Sequence, residues 1–286
     1  MKQIQRLIDG VDNWQQRHHL PGFTYAVIKK YGEDGAGYQA ALLTYYGFLS
    51  LFPLLLVLTT LSNSIAGHNA DFERIITEGV TNYFPVLGYQ LSSHIHALKG
   101  NGLALTVGLL FTLYGTRGVA DVFQKGIQTI WGVQKPKLAG FPAELIKSLA
   151  IIIIGGLGFL AASIIAGFAL AAGHGLVFRG LSIALNLSIL FWLFTFLLNV
   201  SLPRHVSVKN SWVGAASAAI GLVILQAVGG YILARQLKGL DALYSYFALT
   251  LGLLFWIYLQ AQMIYYSAEI AVVSSKKLWP RRFSEE

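Results

Sequence analysis

Six long apolar stretches, at about 38–62, 101–118, 145–172, 180–202, 211–234 and 243–272, alternate with polar pieces along the chain. An α-helix rises 1.5 Å per residue, so about 20 mostly apolar residues cover the ~30 Å of a bilayer's hydrocarbon. By that measure the stretches predict six transmembrane helices, of which 101–118 is the shortest. Between the first two, residues 63–100 hold Phe72, Ile75, Ile76, Val80 and Phe84 at helical spacing before Pro85, which predicts one or two helices over the outer mouth. Ahead of the first stretch, Ile4, Leu7, Ile8, Val11 and Trp14 make one apolar stripe over residues 1–19. That stripe predicts an amphipathic helix ended by Pro21-Gly22, lying either on the inner membrane surface or on the protein's own cytoplasmic loops. The fold class is therefore all-α, a polytopic membrane protein with amphipathic surface helices. Its parts are an arm at 1–36, a six-helix domain at 37–275 and a basic tail at 276–286.

Charge orients this arrangement. Of 21 Lys and Arg residues, 16 fall on the arm, the second loop with its edges, the fourth loop and the tail; the other three loops share five. Positive charge is retained on the cytoplasmic side, so both termini are expected inside, as an even number of spans requires. The net charge of +8 would suggest nucleic acid in a soluble protein. Here the basic residues flank spans, where topology and anionic headgroups account for them, and no nucleic-acid partner is expected. The chain has no cysteine, which excludes disulfides and thiolate metal sites. The N-terminal pattern is amphipathic and not a continuous apolar core of a cleavable signal, so the first span is expected to direct insertion. The expected location is a membrane, crossed several times.

Candidate chemistry lies within and beside the spans. Pro53 removes a backbone hydrogen bond in the first span and predicts a kink or local unwinding there, with Ser50 on the same face; packing neighbours or a substrate path would each explain it. In the sixth span Tyr258, Gln262, Tyr265 or Tyr266, and Glu269 follow at three- and four-residue steps. A carboxylate at that place is expensive to bury, so Glu269 is expected to pair with a cation, to hold a proton or ligand, or to reach the interface. At the inner end of the second span, Arg117 can pair with Asp121 at i, i+4, hold a lipid phosphate, or meet Glu269 from the same side. His94 and His96 form an H-x-H pair without a third ligand nearby, so no metal site is expected, and no cofactor. Gly158, Ala162 and Ala166, Gly214 with Ala218, and Ser217 with Gly221 recur every fourth residue, which places the third and fifth spans inside the bundle. No G-x-S-x-G, H-E-x-x-H or phosphate-cradling loop occurs, and no polar segment is long enough to fold alone, so no catalytic residues and no enzyme are expected.

The run from Ala40 through Thr44-Tyr45-Tyr46-Gly47-Phe48-Leu49-Ser50-Leu51-Phe52-Pro53, the Ile130-Trp131-Gly132-Val133 segment, Leu202-Pro203 and Ser267-Ala268-Glu269 together resemble the YihY/BrkB family of bacterial inner-membrane proteins. Family members typically carry Gly-Ala-Glu where this chain has Ser267-Ala268-Glu269, which leaves Glu269 matched. The resemblance implies six membrane helices. Members were formerly labelled ribonuclease BN, and the lack of any nuclease constellation here argues against that activity. Two roles fit: a transporter or flippase-like protein for a hydrophobic or amphipathic substrate such as an envelope lipid, or a scaffold that binds partner membrane proteins. Membrane lipids are the expected partners in either case.

Overall fold

A computed structural model describes residues 2–65, 102–133, 143–170, 175–202, 208–236 and 242–282. The described residues form eight helices and no strand: α1 (Lys2–Arg17), α2 (His19–Glu33), α3 (Ala36–Ile65), α4 (Gly102–Ile130), α5 (Ala143–Leu170), α6 (Leu176–Ser201), α7 (Val208–Gln236) and α8 (Ala242–Lys276). Helices α3 to α8 overlie the six apolar stretches. Two segments, Leu176–Ser201 and Ser211–Gly229, are long and apolar enough by length and composition to cross a membrane. The outer piece expected to carry helices, with Phe72 to Phe84 and the His94/His96 pair, lies outside the described residues.

Neighbouring helices of the bundle run antiparallel. Tyr46 and Ser50 of α3 meet Gly118 and Gly115 of α4, while Gly214, Gly221 and Gly229 of α7 meet Ala271, Met263 and Trp256 of α8. Asn186 and Asn199 of α6 lie opposite Gln226 and Ser211 of α7. Packing follows the order α4, α3, α8, α7, α6, α5, and a slimmer contact between α5 and α4 closes the ring. The ends of α4, α6 and α8 and the starts of α3 and α7 thus gather at one end of the bundle. Gln128 of α4 donates there to the carbonyl of Ser201 at 3.1 Å.

Small residues set these approaches, as their spacing predicts. A Cβ on Gly158 would fall 2.7 Å from Leu193, and one on Gly214 would fall 2.8 Å from Ala271. Ala162 and Ala218 are buried in the same core as Leu190, Phe194 and Ile127. Between apolar helices in lipid, close backbone packing replaces hydrophobic collapse as the source of association. One helix runs through Pro53 from Ala36 to Ile65, so of the expected kink or local unwinding, the unwinding does not occur. Ser50 is buried and bonds back to the Gly47 carbonyl at 2.9 Å.

The arm departs from expectation at its proline. Pro21-Gly22 does not end a helix; α1 stops at Arg17, and α2 begins at His19 and runs through both residues. Proline is tolerated in a first turn because amide groups there have no intrahelical acceptor. Gly22 is needed for proximity, since a Cβ would fall 2.9 Å from the Gln15 carbonyl. The arm docks on the protein itself: Ala26 and Val27 of α2 pack with Val273 of α8. Taking a Val side chain out of water stabilises by about 1.5–3 kcal/mol. The tail clasps the arm beside this contact, with Leu278 and Trp279 packed against the same cluster. Arg281 pairs with Glu33, Gln15 donates to the Arg281 carbonyl at 2.6 Å, Lys29 donates to that of Arg282 at 2.8 Å, and Trp279 packs on His19 with ring centres 4.0 Å apart.

Candidate functional site

The last turn of α2 brings three polar side chains, Lys30, Tyr31 and Asp34, to the junction of α4 and α8. The Lys30 ammonium has two acceptors, Asp34 one turn ahead on its own helix and the Ile130 carbonyl at 2.9 Å, and lies 3.2 Å from Oε2 of Glu269 as an ion pair. Ile130 ends α4, where the last four carbonyls lack intrahelical partners and the helix dipole favours positive charge. A second ammonium, Lys276 of α8, donates to the Trp131 carbonyl at 2.8 Å. Gly132 takes φ +78°, and the amides of Gly132 and Val133 bond back to Thr129 and Gln128 at 2.8 and 3.0 Å. That left-handed helix stop, which favours glycine, gives the Trp131-Gly132 pair its physical meaning.

Glu269 is fully buried. Its link to Lys30 is ionic: neither carboxylate oxygen has a hydrogen-bond partner in good geometry. A buried carboxylate ordinarily accepts several hydrogen bonds. Beside it Tyr31 stacks on Tyr266 with ring centres 3.9 Å apart and planes 7° from parallel. The Tyr31 hydroxyl is buried and likewise unpartnered. Burial first, then the neighbouring Tyr266, Tyr258 and Glu269, pushes the Tyr31 phenol well above its ordinary range.

The face expected on α8 divides between two neighbours. Tyr266 and Glu269 turn to α2, whereas Tyr265 turns to α4, donating to the Val122 carbonyl at 3.2 Å with its ring against Gly126. Tyr258 and Gln262 are half-buried on the same helix. Arg117 does not meet Glu269. It pairs with Asp121 at 3.8 Å with its side chain 61% exposed, and Asp121 also faces Ser148 of α5 at 3.5 Å. Thirteen residues separate Arg117 from Ile130 on one helix, a distance of about 20 Å. The cation that Glu269 requires is Lys30, which charge counting treats only as a cytoplasmic marker. Its one sequence signal is the Lys30–Asp34 spacing at i, i+4 beside apolar Ala26 and Val27.

Among the described residues the fold is all-helical, two segments are apolar enough to span a bilayer and ionic groups gather at one end of the bundle, an arrangement that suits a membrane protein. The model of the virulence factor BrkB family matches residues 27–284, from the second half of α2 through the tail, and the chain belongs to that family. It is also 24% identical over 281 residues to a UPF0761 membrane protein of Psychrobacter sp. (strain PRwf-1), an alignment that covers 92% of this chain and 51% of that protein. The chain thus spans about half the length of the curated relative it matches. No solved structure matches.

Proposed function

We propose that this protein is a six-span inner-membrane protein with both termini inside, and that it moves a hydrophobic or amphipathic substrate, such as an envelope lipid, between leaflets. The observation that supports this reading best is the buried, hydrogen-bond-deficient Glu269 where the arm meets α8. Ionisable groups inside membrane domains are costly to retain and commonly mark paths for ions or substrates. Arg117, with its exposed guanidinium and Asp121 one turn on, is a separate point at which a headgroup phosphate would be held. Neither site carries the elements of hydrolysis, so the role is not enzymatic, and the partners are lipids and not nucleic acid.

The second reading, a scaffold for partner membrane proteins, draws on an apolar groove of about 310 Å³ between α6 and α7, lined by Leu187, Phe191, Trp192, Ala219 and Ile220. Reconstitution separates the two. Purified protein in liposomes should speed redistribution of a fluorescent lipid between leaflets, and Glu269→Gln or Arg117→Ala should slow it by about tenfold or more. If the wild-type protein moves no lipid across several headgroup classes, the transport reading is abandoned and the scaffold stands.

A further inference from the structure

Three charges meet at the seat of the arm: Lys30 on one side, Asp34 and Glu269 on the other. With all three ionised the cluster carries one net negative charge, and the end of the α4 dipole adds to it. The lysine is already divided among two carboxylates and the Ile130 carbonyl. Asp34 is partly open to solvent, with 21% of its side chain exposed, whereas Glu269 has 0%. Of the two carboxylates, therefore, Glu269 bears the uncompensated charge where water cannot screen it.

Among the described residues, the other surroundings supply no further cation. From α2 come Lys30, Tyr31 and Asp34. From α8 itself come Tyr258, Tyr265 and Tyr266, while Lys276 is held at the Trp131 carbonyl. From α4 comes the Ile130 carbonyl. The α7 surface meets this turn through Gly214, and α3 brings Ala36 and Ala40 to the same core. The missing unit of positive charge matches a proton in size as well as sign, because the two carboxylate oxygens are enclosed.

We propose that Glu269 is a proton-binding site that governs the docking of the arm. In the ionised state the docked arm encloses a charge that Lys30 does not balance, and lifting the arm opens that carboxylate to water. A proton taken up from the cytoplasmic water on Oε2 makes a neutral carboxyl, while Lys30 keeps its charge and its bonds to Asp34 and Ile130. Because the charge is unscreened only while enclosed, proton uptake favours the docked arm and proton loss loosens it from α8. Proton binding and arm docking stand by themselves, while their use as a gate on an inner mouth rests on the transport reading above.

The chain has no cysteine, so single introduced thiols report cleanly. In the full-length protein in lipid nanodiscs, maleimide labelling of Ala26→Cys, buried under the arm, is divided by labelling of Ile28→Cys, which is exposed on the same helix. The ratio cancels the intrinsic pH dependence of the thiol. It should fall about tenfold between about pH 9 and pH 5 as the arm seats more firmly and opens less often, and infrared difference spectra should show a protonated-carboxyl band appear over the same interval. Glu269→Gln should abolish both changes, while Asp34→Asn, which removes the neighbouring negative charge, should move the midpoint to lower pH by about one unit.

A ratio that is flat with pH overturns the proposal, as does a response that persists in Glu269→Gln or a midpoint unmoved by Asp34→Asn. His19 against Trp279 is the other titratable contact of the clasp. A response lost in His19→Gln and retained in Glu269→Gln would assign the switch to that ring and overturn the role of Glu269. Lipid movement is not needed for any of these readings. A protein that labels as expected but moves no lipid keeps its proton site and loses the transport function.

Discussion

Replacing Lys30 by Met gives the sharpest test of the junction, because the two partners of the buried pair are predicted to fail unequally. Lys30→Met leaves the fully buried Glu269 without the ammonium at 3.2 Å and removes a donor from the Ile130 carbonyl. Stranding one member of a buried pair costs about 3–5 kcal/mol, and relief by protonation of the carboxylate brings the expectation to about 3 kcal/mol. Glu269→Gln leaves Lys30 with Asp34 and Ile130, and the neutral amide needs no counter-charge, so its cost is about 1 kcal/mol or less. With an unfolding entropy of about 2 cal/mol/K per residue over 286 residues, 3 kcal/mol corresponds to a Tm lower by about 5 °C by the scaling for soluble domains.

The double variant should be more stable than Lys30→Met alone, since it removes the stranded charge together with its partner. Thermal unfolding of the purified protein in one detergent, followed by intrinsic fluorescence, measures all three. If Glu269→Gln lowers Tm as much as Lys30→Met, or if the two effects simply add, then the ionic coupling argued from the geometry is wrong.

Further outcomes follow from the packing around this end. Gly126→Val should force the Tyr265 ring from its place against α4 and lower stability by about 1–3 kcal/mol, whereas Gly156→Ala, where a Cβ meets nothing within 4 Å, should not; the same melts compare them. Trp279→Ala removes the ring packed on His19 and Phe23, so limited proteolysis should cut between α1 and α2 several-fold faster while leaving the spans intact. The raised Tyr31 phenol sets a sign at alkaline pH. The unfolded chain loses the tyrosine proton near pH 10 and the folded chain later, so stability is held below about pH 10 and declines above it. Tyr31→Phe should flatten part of that decline, and an unchanged alkaline slope would contradict the burial of the hydroxyl.

The six long helices are legible because a run of about 20 apolar residues must satisfy its backbone hydrogen bonds internally, as a helix does. Gly214, Gly158 and Ala218 could be placed in contacts because small residues at every fourth position have few other uses in such a helix. Glu269 stood out for a thermodynamic reason, the cost of burying a carboxylate, and this demanded a cation without saying which one. Arg117 shares its assigned side of the membrane with Glu269, but α4 continues past it to Ile130, and that extra length removes Arg117 from the junction. Lys30 lies 239 residues away along the chain, and only the seating of α2 on α8 brings it near. Pro21 reads as a helix stop in sequence, whereas within the first turn of a helix, where an amide has no intrahelical acceptor to lose, the same ring is harmless.

The clasp between arm and tail also constrains how the molecule is assembled. Lys30 is made long before Glu269, and the acceptors at Arg281 and Arg282 come after every span. The arm therefore has no finished seat until α8 is in place, and its docking is a closing step that only a chain complete through the tail can take. A chain stalled or cut before α8 would leave the apolar stripe of Ala26 and Val27 uncovered, a surface by which quality-control proteases could tell unfinished copies from finished ones.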